Sequence, residues 1–280
     1  MRERLRLHPS ILPIVQMAQR CFLNFREEKK RMFQTIDHLK KYRLHAIDGL
    51  IGSVKDFYFD DEKWTIRYLV VHTGSWLMGR DVLISPIALK GFNDAEKSIL
   101  VDLTKEKIEK SPGIDTADPI SRRHEREYFQ YYGWPYYWGG PLAWGWSGVP
   151  MPSPEPSPPR DLPPEDSEGA DVHLRSAQEI IGYHIQAQDQ EIGHVEDFVI
   201  EDATWTISDL LIDTRNWWPG KKVVIPHDAI QTVSWIDRVI VVGPTHEQIQ
   251  NAPEYDEEIG LTPAIHRRVK EYYEQRMAVK

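Results

Sequence analysis

Between residues 39 and 112 the chain reads as short apolar runs punctuated by turn residues. "YRLHAID" and "IGSVKDFYF" are strand-like, "DDEK" is a polar turn, and "WTIRYLVVHT" is rich in β-branched and aromatic residues. "WLMGRDVLI" puts Gly79 in a turn, where glycine tolerates a positive φ that other residues resist, and "EKSILVDLT" supplies another strand. "PISRRHEREYFQYY" opens with proline, carries charge through its middle and gathers aromatic residues at its end. This pattern predicts a helix packing its aromatic end on the strands.

The same pattern occurs twice. "IGSVKDFYFDDEKWTIRYLVVHTGSWLMGRDVLIS" (51–85) aligns without a gap on "IGHVEDFVIEDATWTISDLLIDTRNWWPGKKVVIP" (192–226), a spacing of 141. The register holds from 39–112 to 180–253 with about a third of positions identical, and "PISRRHEREYF" (119–129) matches "PAIHRRVKEYY" (263–273) after a three-residue insertion. The chain therefore holds a duplicated domain, each copy ending in a helix. Five or six short strands closing on themselves would bury the apolar runs and remove exposed edges, so the fold expected is mainly β, two small β-barrels with short C-terminal helices; a sandwich is the alternative.

The segments outside the copies divide the chain further. Residues 1–31 are basic and read as a helical or poorly ordered extension, without a convincing signal-peptide cleavage site. The first domain is expected at 32–132, an aromatic, glycine-bearing and then proline-rich linker at 133–175, and the second domain at 176–280. The linker composition predicts an extended spacer, so that the barrels are tethered and need not be fused; the alternative is a pseudo-dimer with the spacer spanning it. Within the linker, "YYGWPYYWGGPLAWGW" (131–146) has no counterpart in the second copy, and is expected to cover a barrel face or the space between barrels rather than stand free as an adhesive patch.

A formal net charge of -9 argues against a general nucleic-acid binder. The single cysteine, Cys21, excludes an internal disulfide and fits a reducing cytoplasm. No run approaches the ~20 apolar residues a membrane helix needs.

With the repeat in view, "DGLIGSVKDFYFDDEKWTIRYLVVHTGSWLMGRDVLISP" resembles the PRC-barrel family, seen in the cytoplasmic domain of the photosynthetic reaction centre H subunit and in the ribosome maturation factor of the 30S subunit. The matching features are the D-G-x-I-G-x-V-x-D-F start, the D-x-x-x-W-x-I turn and the G-x-x-V-x-I strand. The second copy departs at Gln190, which replaces the glycine of the first turn. The resemblance implies docking on other macromolecules, without the H subunit's membrane helix or the maturation factor's domain order, and fold alone does not establish function.

A catalytic or metal site common to both copies would recur at the 141 spacing, and none of the eleven histidines does. No phosphate loop, nucleophile elbow or zinc motif is present. Catalytic residues, metal ligands and cofactors are thus expected to be none. The acids Asp48/Asp189, Asp56/Asp197 and Asp61/Asp202 do recur; turn chemistry explains them better than a cation site, since the loops lack EF-hand spacing. Gly52/Gly193, Trp64/Trp205 and Gly79/Gly220 also recur and are expected to be structural. The surface chosen for a partner is the rim formed by Trp76 and Arg80 in the first copy and Trp217, Trp218 and Lys221 in the second, with Trp134 and Trp138 of the aromatic tract, because Trp and Arg dominate interface hot spots. The function expected is a non-enzymatic interaction or scaffold module for a protein partner, acting as a pseudo-dimer or homo-oligomer in the cytoplasm. A peripheral component of a membrane electron-transfer complex is the alternative, and ribosome or RNA maturation is disfavoured by charge.

Overall fold

The computed structural model describes residues 33–113, 120–152, 173–214 and 222–277. The N-terminal extension 1–31, the proline-rich part of the linker at 153–172 and the segment 215–221 lie outside the described residues. The first copy runs β1 (Phe33–Thr35), α1 (Ile36–Lys40), β2 (Arg43–Ala46), β3 (Gly49–Asp60), β4 (Thr65–His72), β5 (Asp81–Ile84), a 3-10 turn at Pro86–Ala88, β6 (Leu89–Asn93), β7 (Ser98–Val101), α2 (Lys105–Glu109) and α3 (Arg122–Tyr132). The second repeats this order as β8 (Leu174–Ser176), α4 (Ala177–Ile180), β9 (His184–Gln186), β10 (Glu191–Glu201), β11 (Thr206–Asp213), β12 (Lys222–Pro226), a 3-10 turn at His227–Ala229, β13 (Ile230–Ser234), β14 (Val239–Val242), α5 (His246–Gln250) and α6 (Pro263–Met277).

The long strand β3 is bulged, with register shifts between Leu50 and Gly52 and between Val54 and Asp56, so its buried residues fall three apart before they fall two apart. β3 buries Ile51, Val54, Phe57 and Phe59 and turns Leu50, Ser53 and Lys55 outward, each full burial of such apolar side chains contributing about 1.5–3 kcal/mol. β4 is buried on both faces from Thr65 to Val71, which its near-continuous apolar run anticipates. Gly52 and Gly193 are required by a close approach: a Cβ at Gly52 would stand 2.0 Å from the carbonyl oxygen of His72, and one at Gly193 would stand 2.1 Å from that of Asp213.

The barrels do not close. In each half the strands follow the order β6-β7-β2-β3-β4 or β13-β14-β9-β10-β11, with β5 attached to β4 and β12 to β11. Between β5 and β6 the chain breaks into the 3-10 turn, where Pro86 has no N–H to donate and the Ser85 hydroxyl caps Ile87, and no pairing between β5 and β6 occurs among the described residues.

The two halves are fused, which corrects the picture of independently tethered barrels. β4 and β11 meet at Thr65 and Thr206, where Ile66 N–H donates to Trp205 O (2.8 Å) and Ile207 N–H to Trp64 O (2.6 Å). These four residues are related pairwise by the spacing of 141, so a pseudo-twofold axis passes through the bridge. The short arms then cross it. β1, which opens the first copy, pairs antiparallel with β10 of the second, with Phe33 opposite Glu201. β8, which opens the second, pairs with β3 of the first, with Leu174 opposite Asp60. The ten strands of the main path and the four attached to it form one continuous sheet.

The repeated acids fasten this exchange. Asp56 and Asp197 stand at bulges in β3 and β10, and each accepts the N–H of the following phenylalanine at 2.7 Å. Each also reaches the arm of the other copy: Asp197 accepts Asp37 N–H at the start of α1 (3.0 Å), and Asp56 accepts Gln178 N–H at the start of α4 (3.1 Å) and the Ser176 hydroxyl (2.5 Å). Carboxylates satisfy the unpaired N–H groups of a helix start and suit its positive end. Asp48 and Asp189 do the same within their own copies, accepting Lys105 N–H at 2.9 Å and His246 N–H at 2.8 Å. Asp61 pairs with Arg175 of the crossing arm at 2.9 Å. The recurring acids therefore bind helix starts and the exchanged arms, a more specific role than turn chemistry.

Candidate interaction site

The repeated tryptophans lie at the junction. Trp64 and Trp205 close equivalent turns with φ of 48 and 58, a left-handed conformation sustained here by the backbone bonds each makes across the pseudo-axis. The Trp64 ring packs on Phe59 and on Phe198 and His227 of the other half, while Trp205 stacks on Phe92 across the axis. Both are buried, so they are interface anchors between the halves and are closed to an outside partner.

The aromatic tract beyond α3 covers the first copy instead of beginning a linker. Gly133, with φ of 72, ends α3 in a left-handed cap, and the chain returns over β4. Trp134 stacks on Tyr132 (4.4 Å between centroids) and Trp138 on Tyr136 (4.6 Å), both partly buried against the core. Beneath them lies a polar network. Glu125, fully buried, accepts the Tyr137 hydroxyl at 2.6 Å and pairs with Arg122 at 2.9 Å and His173 at 3.1 Å. Arg67, also 0% exposed, pairs with Asp60 at 2.8 Å, donates to Ala143 O at 2.6 Å and lies 3.8 Å from the centre of the Tyr137 ring. Burial alone would raise Asp60, but the Arg67 guanidinium and the N–H groups of Lys63 and Glu62 more than offset it and hold the carboxyl below its ordinary range. Trp144 donates from its indole to Thr204 O of the second half at 2.7 Å. Trp134 and Trp138, expected at a partner surface, are thus occupied in covering this network.

A cleft of about 550 Å³ opens where α1 and α4 meet β10. Most of its charges are matched internally: Lys41 pairs with Asp37, and Lys222 with both Glu196 and Glu257, while Lys40 donates to the neutral Gln178. At its floor Asp197 is pushed up to about 6 by burial, which its hydrogen bonds from Asp37, Phe198 and Thr35 only partly counter. A ligand here would have to break existing pairs, so the cleft is a poorer site than an exposed surface of the first copy.

That surface is the outer face of β3, β2 and β7. Register places Leu50 opposite His45 and His45 opposite Leu100, with Ile47 in the turn just past β2. Leu50 is 42%, Leu100 47% and Ile47 65% exposed. Trp76 borders this row, its indole donating to Ile51 O, and the Lys105 ammonium lies 4.4 Å over its ring. The cation expected there was Arg80, but its guanidinium lies against Gly113, where an added Cβ would meet it at 2.8 Å. Arg43 and Lys105 flank the row and have no acidic partner among the described residues. Gly79 has a φ of 74 and closes the turn beside Trp76. In the second copy the equivalents of Ile47, Leu50 and His45 are Gln188, Glu191 and Gln186, and Glu191 pairs with His184 at 2.8 Å. Trp217, Trp218, Gly220 and Lys221 lie outside the described residues. The apolar row is therefore a property of the first copy alone, and comparing the two copies position by position was the signal that could have found it.

Among the described residues no group of three His, Cys, Asp or Glu could hold a metal ion, and no helix is long and apolar enough to cross a membrane.

A mainly β fold, duplicated, with glycine at the same close approach and aspartate at the same bulge in each half, defines a protein of two tandem copies of one small β domain. The PRC-barrel domain model matches residues 46–108 and 173–249, together half of the chain, and the chain belongs to that family. Comparison with curated proteins finds no match.

Proposed function

We propose that the protein is a non-enzymatic, cytoplasmic interaction module in which two PRC-barrel copies, fused about a pseudo-twofold axis, present one docking face for a protein partner. The observation that carries this reading is the exposed row Leu50–His45–Leu100 with Ile47, present in the first copy and broken in the second, where Ile47 and Leu50 become Gln188 and Glu191 and Leu100 is matched by the half-buried Val241. Duplicated halves free of a shared function can diverge, and exposed apolar side chains gathered on one sheet face with aromatic and cationic neighbours are the composition of a binding surface. Support also comes from the absence of any catalytic set recurring at the repeat spacing. A photo-crosslinking residue placed at Leu100 in living cells should capture a discrete protein, while the same residue at the equivalent Val241 should not. Capture at neither position, or equally at both, would overturn the proposal.

A further inference from the structure

The face described above has an occupant whose chemistry is present in the same chain. Its apolar row is bordered by Arg43 and Lys105, two cations without acidic partners among the described residues. A complementary surface must offer an apolar side chain among unpaired carboxylates. The loop between α5 and α6 does so. Ile259 is 61% exposed there, and Glu254, Asp256 and Glu258 beside it are exposed and unpaired with any cation among the described residues. The Asp256 carboxylate accepts the N–H groups of Glu258 (2.8 Å) and Ile259 (3.3 Å), which holds the loop in this shape. The other exposed large apolar residue of the second half, Ile236, is followed by Asp237 and Arg238, whose charges are opposite, so its surroundings offer no acidic excess.

Resting on the reading of this face as a docking surface, we infer that it receives the acidic loop around Ile259 of a second copy of this chain. The contact joins two different patches, first-half face to second-half loop, because the face's own counterpart in the second half keeps only the half-buried Val241 as an apolar member, beside Glu191, Gln186 and Gln188, and could not repeat it. Three apolar side chains with a charged rim make a small interface, so the association is weak and salt-dependent.

Sedimentation velocity of the full chain over a concentration series tests this. Wild type should sediment faster as concentration rises, and the shift should fall away in about 1 M salt, where the screening length is about 3 Å. Leu100→Asp, on an exposed side chain, should abolish the shift, and so should the double substitution Glu254→Lys and Glu258→Lys, which leaves the Asp256 turn intact. Each variant keeps one intact half of the contact. Mixing the two should therefore restore association, which neither shows alone. A wild type that remains monomeric throughout, a Leu100→Asp variant that associates as wild type does, or a mixture that stays monomeric would each overturn the inference. If crosslinking at Leu100 in cells captures a different protein and never a second copy, this inference fails while the docking function stands.

Discussion

Asp60→Asn isolates the buried charge that holds the aromatic cover to the first copy. The asparagine oxygen can still accept the N–H groups of Glu62 and Lys63, which Asp60 receives at 3.0 and 3.2 Å, so the turn keeps its cap and the counter-charge of Arg67 is what disappears. Arg67 is 0% exposed and would retain the Ala143 carbonyl and the faces of Tyr137 and Trp144. Stranding a buried charge costs about 3–5 kcal/mol. Cation–π contacts of up to about 2 kcal/mol were present before the change and do not replace the carboxylate, though they keep the cost near the lower end of that range. A loss of about 3 kcal/mol is large against a total stability of about 5–15 kcal/mol. Urea unfolding followed by tryptophan fluorescence at neutral pH measures it. Because the folded state depresses the Asp60 pKa, the pair contributes its stability above the ordinary carboxylate range and loses it as pH falls through the depressed value. The gap between wild type and variant should accordingly narrow in acid. Replacing Arg67 by Met in the same chain should recover most of the loss, since the stranded charge is then removed. A loss below about 1 kcal/mol, or a double variant no better than Asp60→Asn, would refute the assignment of this pair as the anchor of the cover.

Other outcomes follow from the same geometry. Gly52→Ala should destabilise by about 2 kcal/mol or more in urea unfolding, because its Cβ would overlap the His72 carbonyl at 2.0 Å and force β3 from β4; a neutral variant would contradict that approach. Asp197, raised to about 6 by burial, binds its proton more tightly folded than unfolded, so its contribution favours low pH and is lost as pH rises from about 4 to about 6. Asp197→Asn should remove that slope, a difference of up to about 3 kcal/mol across the window, and an unchanged stability-against-pH curve would reject the assignment. Trp144→Ala should cost about 3–5 kcal/mol, since the buried ring spans from the cover to Thr204 of the second half; a change under about 1 kcal/mol would show that the cover does not staple the halves.

Much of this fold is legible in the amino-acid sequence because duplication repeats its physical reasons. Gly52 and Gly193 recur since both meet a carbonyl, and the strands are readable from their β-branched and aromatic runs, of which Thr65 to Val71 is the densest. The exchange of arms is not readable. β1 and β8 are three residues each, too short to show a period, and Asp56 and Asp197 carry the same chemistry, so either could cap its own arm or the other's. The open barrel escaped for a related reason, as strand patterns show which residues are buried and leave the last pairing undefined. On the exposed apolar face Leu50 and Leu100 lie far apart in the sequence and become neighbours through His45, while the sequence pairs Trp76 with the nearby Arg80 and the fold pairs it with Lys105 of α2. The sequence of the aromatic tract suggests a cover, a linker and a partner surface at once, and its tie to the buried Asp60–Arg67 pair depends on backbone carbonyls that no side-chain pattern reveals.

The central claim is that the two copies form one fused body about the bridge between Thr65 and Thr206. These residues form a non-hydrogen-bonded antiparallel pair, flanked by the bonds from Ile66 to Trp205 and from Ile207 to Trp64, a geometry with Cα atoms about 4.5 Å apart and open to a disulfide. With Cys21 replaced by Ser, cysteines at Thr65 and Thr206 should oxidise rapidly and completely within a single chain, at a rate independent of protein concentration. Copies that are merely tethered would leave both thiols free or join them slowly and between chains, and that result would contradict the account.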